Sequence, residues 1–265
     1  MRMRALLLVP LVALAVSGCG GSSGDATSSS AASSSGGDLR GTLTVFAAAS
    51  LTDVFTDLGN QLEKSNPGLD VQFNFAGSSA LATQISQGAP ADVFASANQP
   101  QMKVVTDAGR AAGDPQVFTQ NVLQIAVPRG NPGHVTGLAD FAKPDLTLAV
   151  CAPDVPCGAA AAKVFQAAGV TAVPDTQEED VRAALTKVEL GEVDAALVYA
   201  SDVVSAGDKV QGIDFPEAEQ VINEYPIATL KGAANPGAAR AFVALVRSDA
   251  GRKALEDAGF RASPK

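Results

Sequence analysis

At 265 residues with 46% hydrophobic content, the chain can bury a sizeable core, as one large domain or two smaller lobes. Its formal net charge of −9 argues against nucleic acid and against a polybasic membrane-binding face. One histidine and three cysteines leave no zinc set, and no CxxC redox motif is present.

Arg2 and Arg4 precede an apolar run from Ala5 to Val16 that is too short to serve as a dedicated membrane-spanning helix. The run closes with Val16-Ser17-Gly18-Cys19, which resembles a bacterial lipobox. That resemblance implies cleavage before Cys19 and diacylation of that cysteine; an ordinary signal peptide is the alternative. Residues 1–18 are therefore expected to be a signal peptide and residues 19–38 a lipidated cysteine followed by a tether. The segment from Gly20 to Asp38 is nearly all Ser, Gly and Ala, and cannot bury enough apolar surface to offset its ordering entropy. Loss of residues 1–18 removes Arg2 and Arg4 and no acid, taking the net charge from −9 to −11. An anion ligand would then have to be held by local dipoles against the long-range field.

The two remaining cysteines, Cys151 and Cys157, flank Pro153 and Pro156. In an oxidising compartment such a pair reads as a disulfide, with two partly buried free thiols as the alternative.

From Leu39 onward, strand and helix patterns alternate, as in an α/β fold with mainly parallel sheets. Leu43–Ala48 is the first predicted strand. The helix after it carries Leu51, Val54, Phe55, Leu58 and Leu62 on one face, with Ser50 and Asp53 as a capping-box-like start. Asp70–Ala76 is a strand, and Gly77-Ser78-Ser79 turns it into a helix that stops at Gly88. Asp92–Ala95 is a short strand, and Asn98-Gln99-Pro100 opens a helix that ends near Gly109. Val122–Val127 and Leu146–Val150 are strands, followed by the cysteine loop and an Ala-rich helix from Gly158 to Ala168. Glu178–Leu190 reads as helix, with Gly191 as its stop. Ala195–Tyr199 is a buried strand, Ser201-Asp202 opens a helix, and Tyr225–Leu230 is a late strand. Two helices, Pro236–Ser248 and Ala250–Ala258, close the chain.

Four places share one geometry, in which a small polar turn meets a helix start: Ala49-Ser50, Gly77-Ser78-Ser79, Cys157-Gly158 and Glu179-Asp180-Val181. Free N–H groups and hydroxyls at such points donate to oxyanions without any formal positive charge. For each serine, a simple helix N-cap is the competing role. Tyr199 lies at a strand end among small residues, where a core position with a satisfied hydroxyl is the alternative.

Phe46-Ala47-Ala48-Ala49-Ser50-Leu51, Phe75-Ala76-Gly77-Ser78-Ser79, Gly88-Ala89-Pro90-Ala91-Asp92-Val93-Phe94, Glu179-Asp180-Val181-Arg182 and Leu197-Val198-Tyr199-Ala200-Ser201-Asp202 occur in the order seen in periplasmic molybdate-binding proteins of ABC importers. The chain resembles that family from Leu39 to its C-terminus. The resemblance implies a two-lobed type II periplasmic-binding fold with two crossover strands. Lobe 1 would be residues 39–120 with 225–265, and lobe 2 residues 121–224. It also implies a molybdate or tungstate site made by Ser50, Ser78, Cys157, Val181 and Tyr199. Ser50 and Ser78 would give hydroxyl and N–H, Cys157 and Val181 the backbone N–H, and Tyr199 its phenol. Family members have a small residue such as Ala where Cys157 stands, in a loop that is slightly longer than here. Asp154 in that loop is expected to face away from an oxyanion.

The implied protein is a monomeric, non-enzymatic lipoprotein, needing no cofactor, on the outer face of the cytoplasmic membrane. It would deliver its ligand to the membrane permease of an ABC importer. A sulfate or other oxyanion receptor on the same fold is the main rival. A hydrolase using Ser50 or Ser201 would need a base, and His134, the sole histidine, lies in a Pro/Gly-rich loop with no Gly-x-Ser-x-Gly elbow nearby.

Overall fold

β1 (Arg40–Ala48) is the strand on which the first layer is built, with five of its nine residues buried. The computed structural model describes residues 39–263. The signal peptide, the Cys19 lipidation site and the tether expected from the sequence lie outside them. A 3-10 turn, Ala49–Leu51, leads from β1 into α1 (Thr52–Ser65). There follow β2 (Gly68–Ala76), α2 (Ser78–Ser86), β3 (Val93–Ala95), α3 (Gln99–Asp107) and β4 (Gln116–Asn121). The chain then builds a second layer from β5 (Leu123–Pro128), β6 (Leu148–Cys151), α4 (Pro156–Ala168), β7 (Thr176–Glu178), α5 (Val181–Glu189), β8 (Ala195–Tyr199), α6 (Ala200–Ala206) and β9 (Val210–Ile213). It returns through β10 (Asn223–Thr229) and ends in α7 (Pro236–Val246) and α8 (Asp249–Asp257).

Two five-stranded sheets result, in the orders β2-β1-β3-β10-β4 and β7-β6-β8-β5-β9. Each has three parallel strands and one reversed strand, β10 or β5, that separates them from an outer fifth strand. The chain crosses between the sheets twice, at β4–β5 and on the way into β10. At the crossing Asn121 and Asn223 are paired across β4 and β10.

Helices cover both faces of the first sheet, which is why β1 reads as an almost unbroken apolar run rather than an alternating one. Phe55, Phe118, Tyr225 and Phe242 fill one side, and Phe46, Leu81, Phe94 and Met102 the other. Phe55 meets Phe242 edge-on at 5.3 Å. The second core gathers Phe141, Leu148, Val164, Leu185 and Leu197. Each such side chain, fully buried, contributes about 1.5–3 kcal/mol.

Three strands, β4, β7 and β9, have no counterpart among the expected elements. The predicted Val122–Val127 strand begins one residue later, and a separate strand, β4, precedes it. β4 carries only Val117 and Phe118 as large apolar residues and lies at a sheet edge, so it shows little period-2 signal. β7 and β9 are also edge strands of three and four residues. Glu178 is the last residue of β7 rather than the start of a helix, because Asp180 caps α5 by accepting the Ala183 N–H at 2.9 Å.

Candidate functional site

The β1–α1, β2–α2, β6–α4 and β7–α5 junctions, together with the end of β8, converge on one small cavity of about 200 Å3 including its mouth. Its lining includes Ser50, Ser78, Cys157, Val181 and Tyr199, so all five residues singled out in the sequence are brought together. All five are buried. Ala48, Ala49, Ala76, Ala97 and Gly77 complete the wall on one side, and small residues are what let backbone N–H groups approach the centre.

Ser78 and Val181 are the first residues of α2 and α5, where helix amides have no intrahelical acceptor. α4 begins at Pro156, which has no N–H, so Cys157 is the first residue of that helix with an amide to offer. The disulfide Cys151–Cys157, with Cα atoms 5.6 Å apart, ties the end of β6 to this helix start. Gly158 is required beside it, since a Cβ there would lie 1.9 Å from the Ala152 carbonyl oxygen.

The two halves of the cavity touch. A Cβ on Gly77 would lie 2.3 Å from the Glu179 carbonyl oxygen, which comes from the second layer. Arg182 on α5 bonds Asp53 on α1 at 2.6 Å, and Gln101 Nε2 on α3 donates to the Asp154 carbonyl oxygen at 3.1 Å. Asp154 itself is exposed and is not part of the lining.

The capping-box reading of Ser50 and Asp53 is corrected. Neither the 3-10 turn nor α1 has a side-chain cap. Asp53 is drawn to Arg182, and Ser50 Oγ lies 3.0 Å from the Tyr225 hydroxyl. Ser78 is likewise not a cap: its Oγ accepts the Ala97 N–H at 3.0 Å. The Tyr199 hydroxyl accepts from Asn223 Nδ2 at 2.9 Å, and the same nitrogen donates to the Ala97 carbonyl at 3.0 Å. Asn121 Nδ2 donates to Ser201 Oγ at 2.8 Å. Ala97, Asn121, Asn223 and Tyr225 escaped the sequence reading, although Tyr225 is one of only two tyrosines in the chain and both meet here, 6.0 Å apart.

Burial pushes the Tyr199 phenol well above its usual range, with Tyr225 and Asp202 adding to the effect, so it is a neutral donor at any ordinary pH. Asp202, fully buried, accepts the Tyr199 N–H at 3.0 Å and lies 3.2 Å from Arg182 Nε. Burial outweighs both contacts and pushes its carboxyl up to about 7. Asp180 also lines the cavity, but it is turned to the Ala183 N–H of its own helix. Apart from Asp180, the lining among the described residues is thus uncharged, with no lysine, arginine or histidine. His134 is exposed in the β5–β6 connection, away from the cavity.

The model of the bacterial extracellular solute-binding proteins matches residues 43–261. The molybdate-binding protein ModA of Mycobacterium tuberculosis (strain ATCC 25618 / H37Rv) is 48% identical over 219 residues, 83% of this chain and 84% of that one. Among solved structures, the periplasmic molybdate-binding protein of Azotobacter vinelandii matches with a TM-score of 0.72 at 20% identity, over 84% of this chain and 100% of that one. The sulfate-binding protein SubI of M. tuberculosis H37Rv matches with a TM-score of 0.73 at 19% identity, over 84% of this chain and 87% of that one. At such identities these two structures speak for the fold alone. With the family model spanning most of its length and a relative at 48% identity, the chain belongs to the bacterial extracellular solute-binding proteins.

Proposed function

We propose that this protein captures molybdate or tungstate in the cavity between its two layers and delivers it to the membrane permease of an ABC importer. Ser50 and Ser78 donate hydroxyl and N–H, Cys157 and Val181 donate their N–H groups, and Tyr199 donates its phenol. The observation that carries this reading is the convergence of those five residues on one enclosure of neutral donors. The 48% identity to a protein named for molybdate binding supports the choice of anion.

Hydrogen bonds to a charged group contribute about 1.5–3 kcal/mol each. Several of them offset dehydration of a dianion without an arginine. A site with donors only favours the fully deprotonated anion, and the fixed peptide groups select by size. Residues 39–120 with 225–265 act as one lobe and residues 121–224 as the other. Because each supplies part of the donor set, the anion binds the closed form better and shifts the lobes toward it. The receptor is a monomer held outside the cytoplasmic membrane by a lipid on Cys19.

Thermal melts of the mature chain with equal concentrations of molybdate, tungstate, sulfate and phosphate test this. Ligand at a hundred times its Kd adds about 2.7 kcal/mol, which raises the Tm of a domain this size by roughly 5–10 °C. A shift of that order with the first two anions alone is expected. An equal or larger shift with sulfate contradicts the assignment.

A further inference from the structure

The hydroxyls of the cavity do not all have the same freedom to turn. Asn223 is buried at the start of β10, and its Nδ2 has two protons. One goes to the Ala97 carbonyl oxygen, which can only accept, so this contact fixes which end of the amide faces the cavity. The other goes to the Tyr199 hydroxyl, whose oxygen must therefore accept. A phenol that accepts from behind has its single proton left for an acceptor on another side, which is either the neighbouring Tyr225 hydroxyl or an anion in the cavity. Ser78 is in the same position, because its Oγ accepts the Ala97 N–H.

We infer that Asn223 is a positioning residue that sets the polarity of the Tyr199 hydroxyl, so that its proton is offered to the ligand. The inference rests on the oxyanion reading of the cavity. Ala97 is the shared support: its N–H turns Ser78 outward and its carbonyl orients the amide that turns Tyr199 outward. Two donors on opposite layers are thereby aimed by one residue of the β3–α3 connection and one crossover side chain. A donor-only lining then follows from the second layer of hydrogen bonds as well as from residue choice.

Asn223→Asp and Asn223→Ala separate polarity from packing. At mildly alkaline pH an aspartate at 223 accepts the Tyr199 proton and sets a negative charge behind the site, whereas alanine only removes the orienting bond. Alanine is expected to weaken molybdate binding about tenfold, and aspartate roughly a hundredfold. Burial and the Ala97 carbonyl hold the introduced carboxyl's pKa high. On acidification the charge behind the site is lost and the carboxyl regains one proton, where the amide had two, so the variant's affinity recovers toward that of Asn223→Ala. The other groups facing position 223 are the neutral phenols of Tyr199 and Tyr225, with Asp202 at the Tyr199 N–H and Glu224 next in the chain. These are common to all three proteins, so the Asn223→Ala profile subtracts their titration.

Calorimetric titration with molybdate across pH, with ligand-free melting curves as folding controls, reads the result. Asn223→Asp weaker than Asn223→Ala at alkaline pH, and recovering alone on acidification, supports the inference. Wild-type affinity in Asn223→Ala, or equal affinity and equal pH profile in the two variants, overturns it. Should wild type itself not bind molybdate, the proposed function fails. The inference is then judged on ligand-free protein by the tyrosine Fermi doublet in the Raman spectrum. Loss of phenol acceptor character in Asn223→Ala supports it, and an unchanged doublet overturns it; the same readout decides if the aspartate variant does not fold.

Discussion

Arg182 bonds Asp53 across the boundary between the two layers, Nη2 to Oδ2 at 2.6 Å, while its Nε faces the buried Asp202 at 3.2 Å. One guanidinium thus joins a carboxylate of its own layer to one from the other. If the lobes part, Asp202 keeps Arg182, and only the Asp53 contact is broken. On the proposed lobe motion the pair contributes to closure rather than to folding. Asp53 is more than half exposed, so the pair is worth about 0.2–1 kcal/mol. Asp53→Asn is expected to weaken molybdate binding about 1.5- to 5-fold, with the difference shrinking at high salt. Titrations at low and high ionic strength check this; a salt-independent difference would speak against an ionic latch.

Asp202 makes stability depend on pH. Its carboxyl titrates near 7 in the folded chain, against an ordinary value of 3.8. The folded state therefore holds the proton more tightly, and this group's contribution is fully present at acid pH. It is lost as pH rises from about 4 to about 7. In Asp202→Asn, which can still accept the Tyr199 N–H, that part of the decline should vanish. Urea midpoints measured at both ends of this window decide the point. Identical pH dependence in variant and wild type would falsify it.

Ser50 and Ser78 should not be equivalent. Ser78→Ala removes one of the proposed donors to the anion and leaves the buried Ala97 N–H without its acceptor, at a cost of about 1–3 kcal/mol in stability. Ser50→Ala leaves the Tyr225 hydroxyl, which has Asn121 and Tyr199 as further partners, so its stability should change less. Both should lose affinity. Ligand-free denaturation curves and titrations of the two variants separate the effects, and unchanged affinity in both would make them structural residues only.

The Cys151–Cys157 disulfide closes a short loop, worth about 2 kcal/mol in the chain-entropy account. It also anchors the start of α4, where Cys157 presents its amide. Reduction should lower both stability and molybdate affinity. A thiol count on unreduced mature protein truncated past Cys19 should find none, and two reactive thiols would refute the bond in solution.

Much of this was legible in the sequence because it is local. The β1–α1 and β2–α2 junctions follow from short runs whose apolar spacing changes at a small polar turn, and Ala195–Tyr199 is bounded by its own composition. β4, β7 and β9 were not legible, since edge strands of few or alternating polar residues are specified by the neighbour they pair with. The capping role expected of Ser50 and Asp53 was misread for the same reason. A serine before a helix looks like a cap until a tyrosine 175 residues away comes within 3.0 Å of it. Asn223 and Ala97 support the site only through contacts between distant segments, and nothing in their immediate neighbours marks them.

The central claim is that a lining of neutral donors, split between two lobes, selects a large tetrahedral dianion. Calorimetric titration of the mature chain with molybdate, tungstate and sulfate tests it most directly. The account predicts one site per chain, with molybdate and tungstate bound at least about a hundredfold more tightly than sulfate. Sulfate binding as tight as molybdate would contradict it.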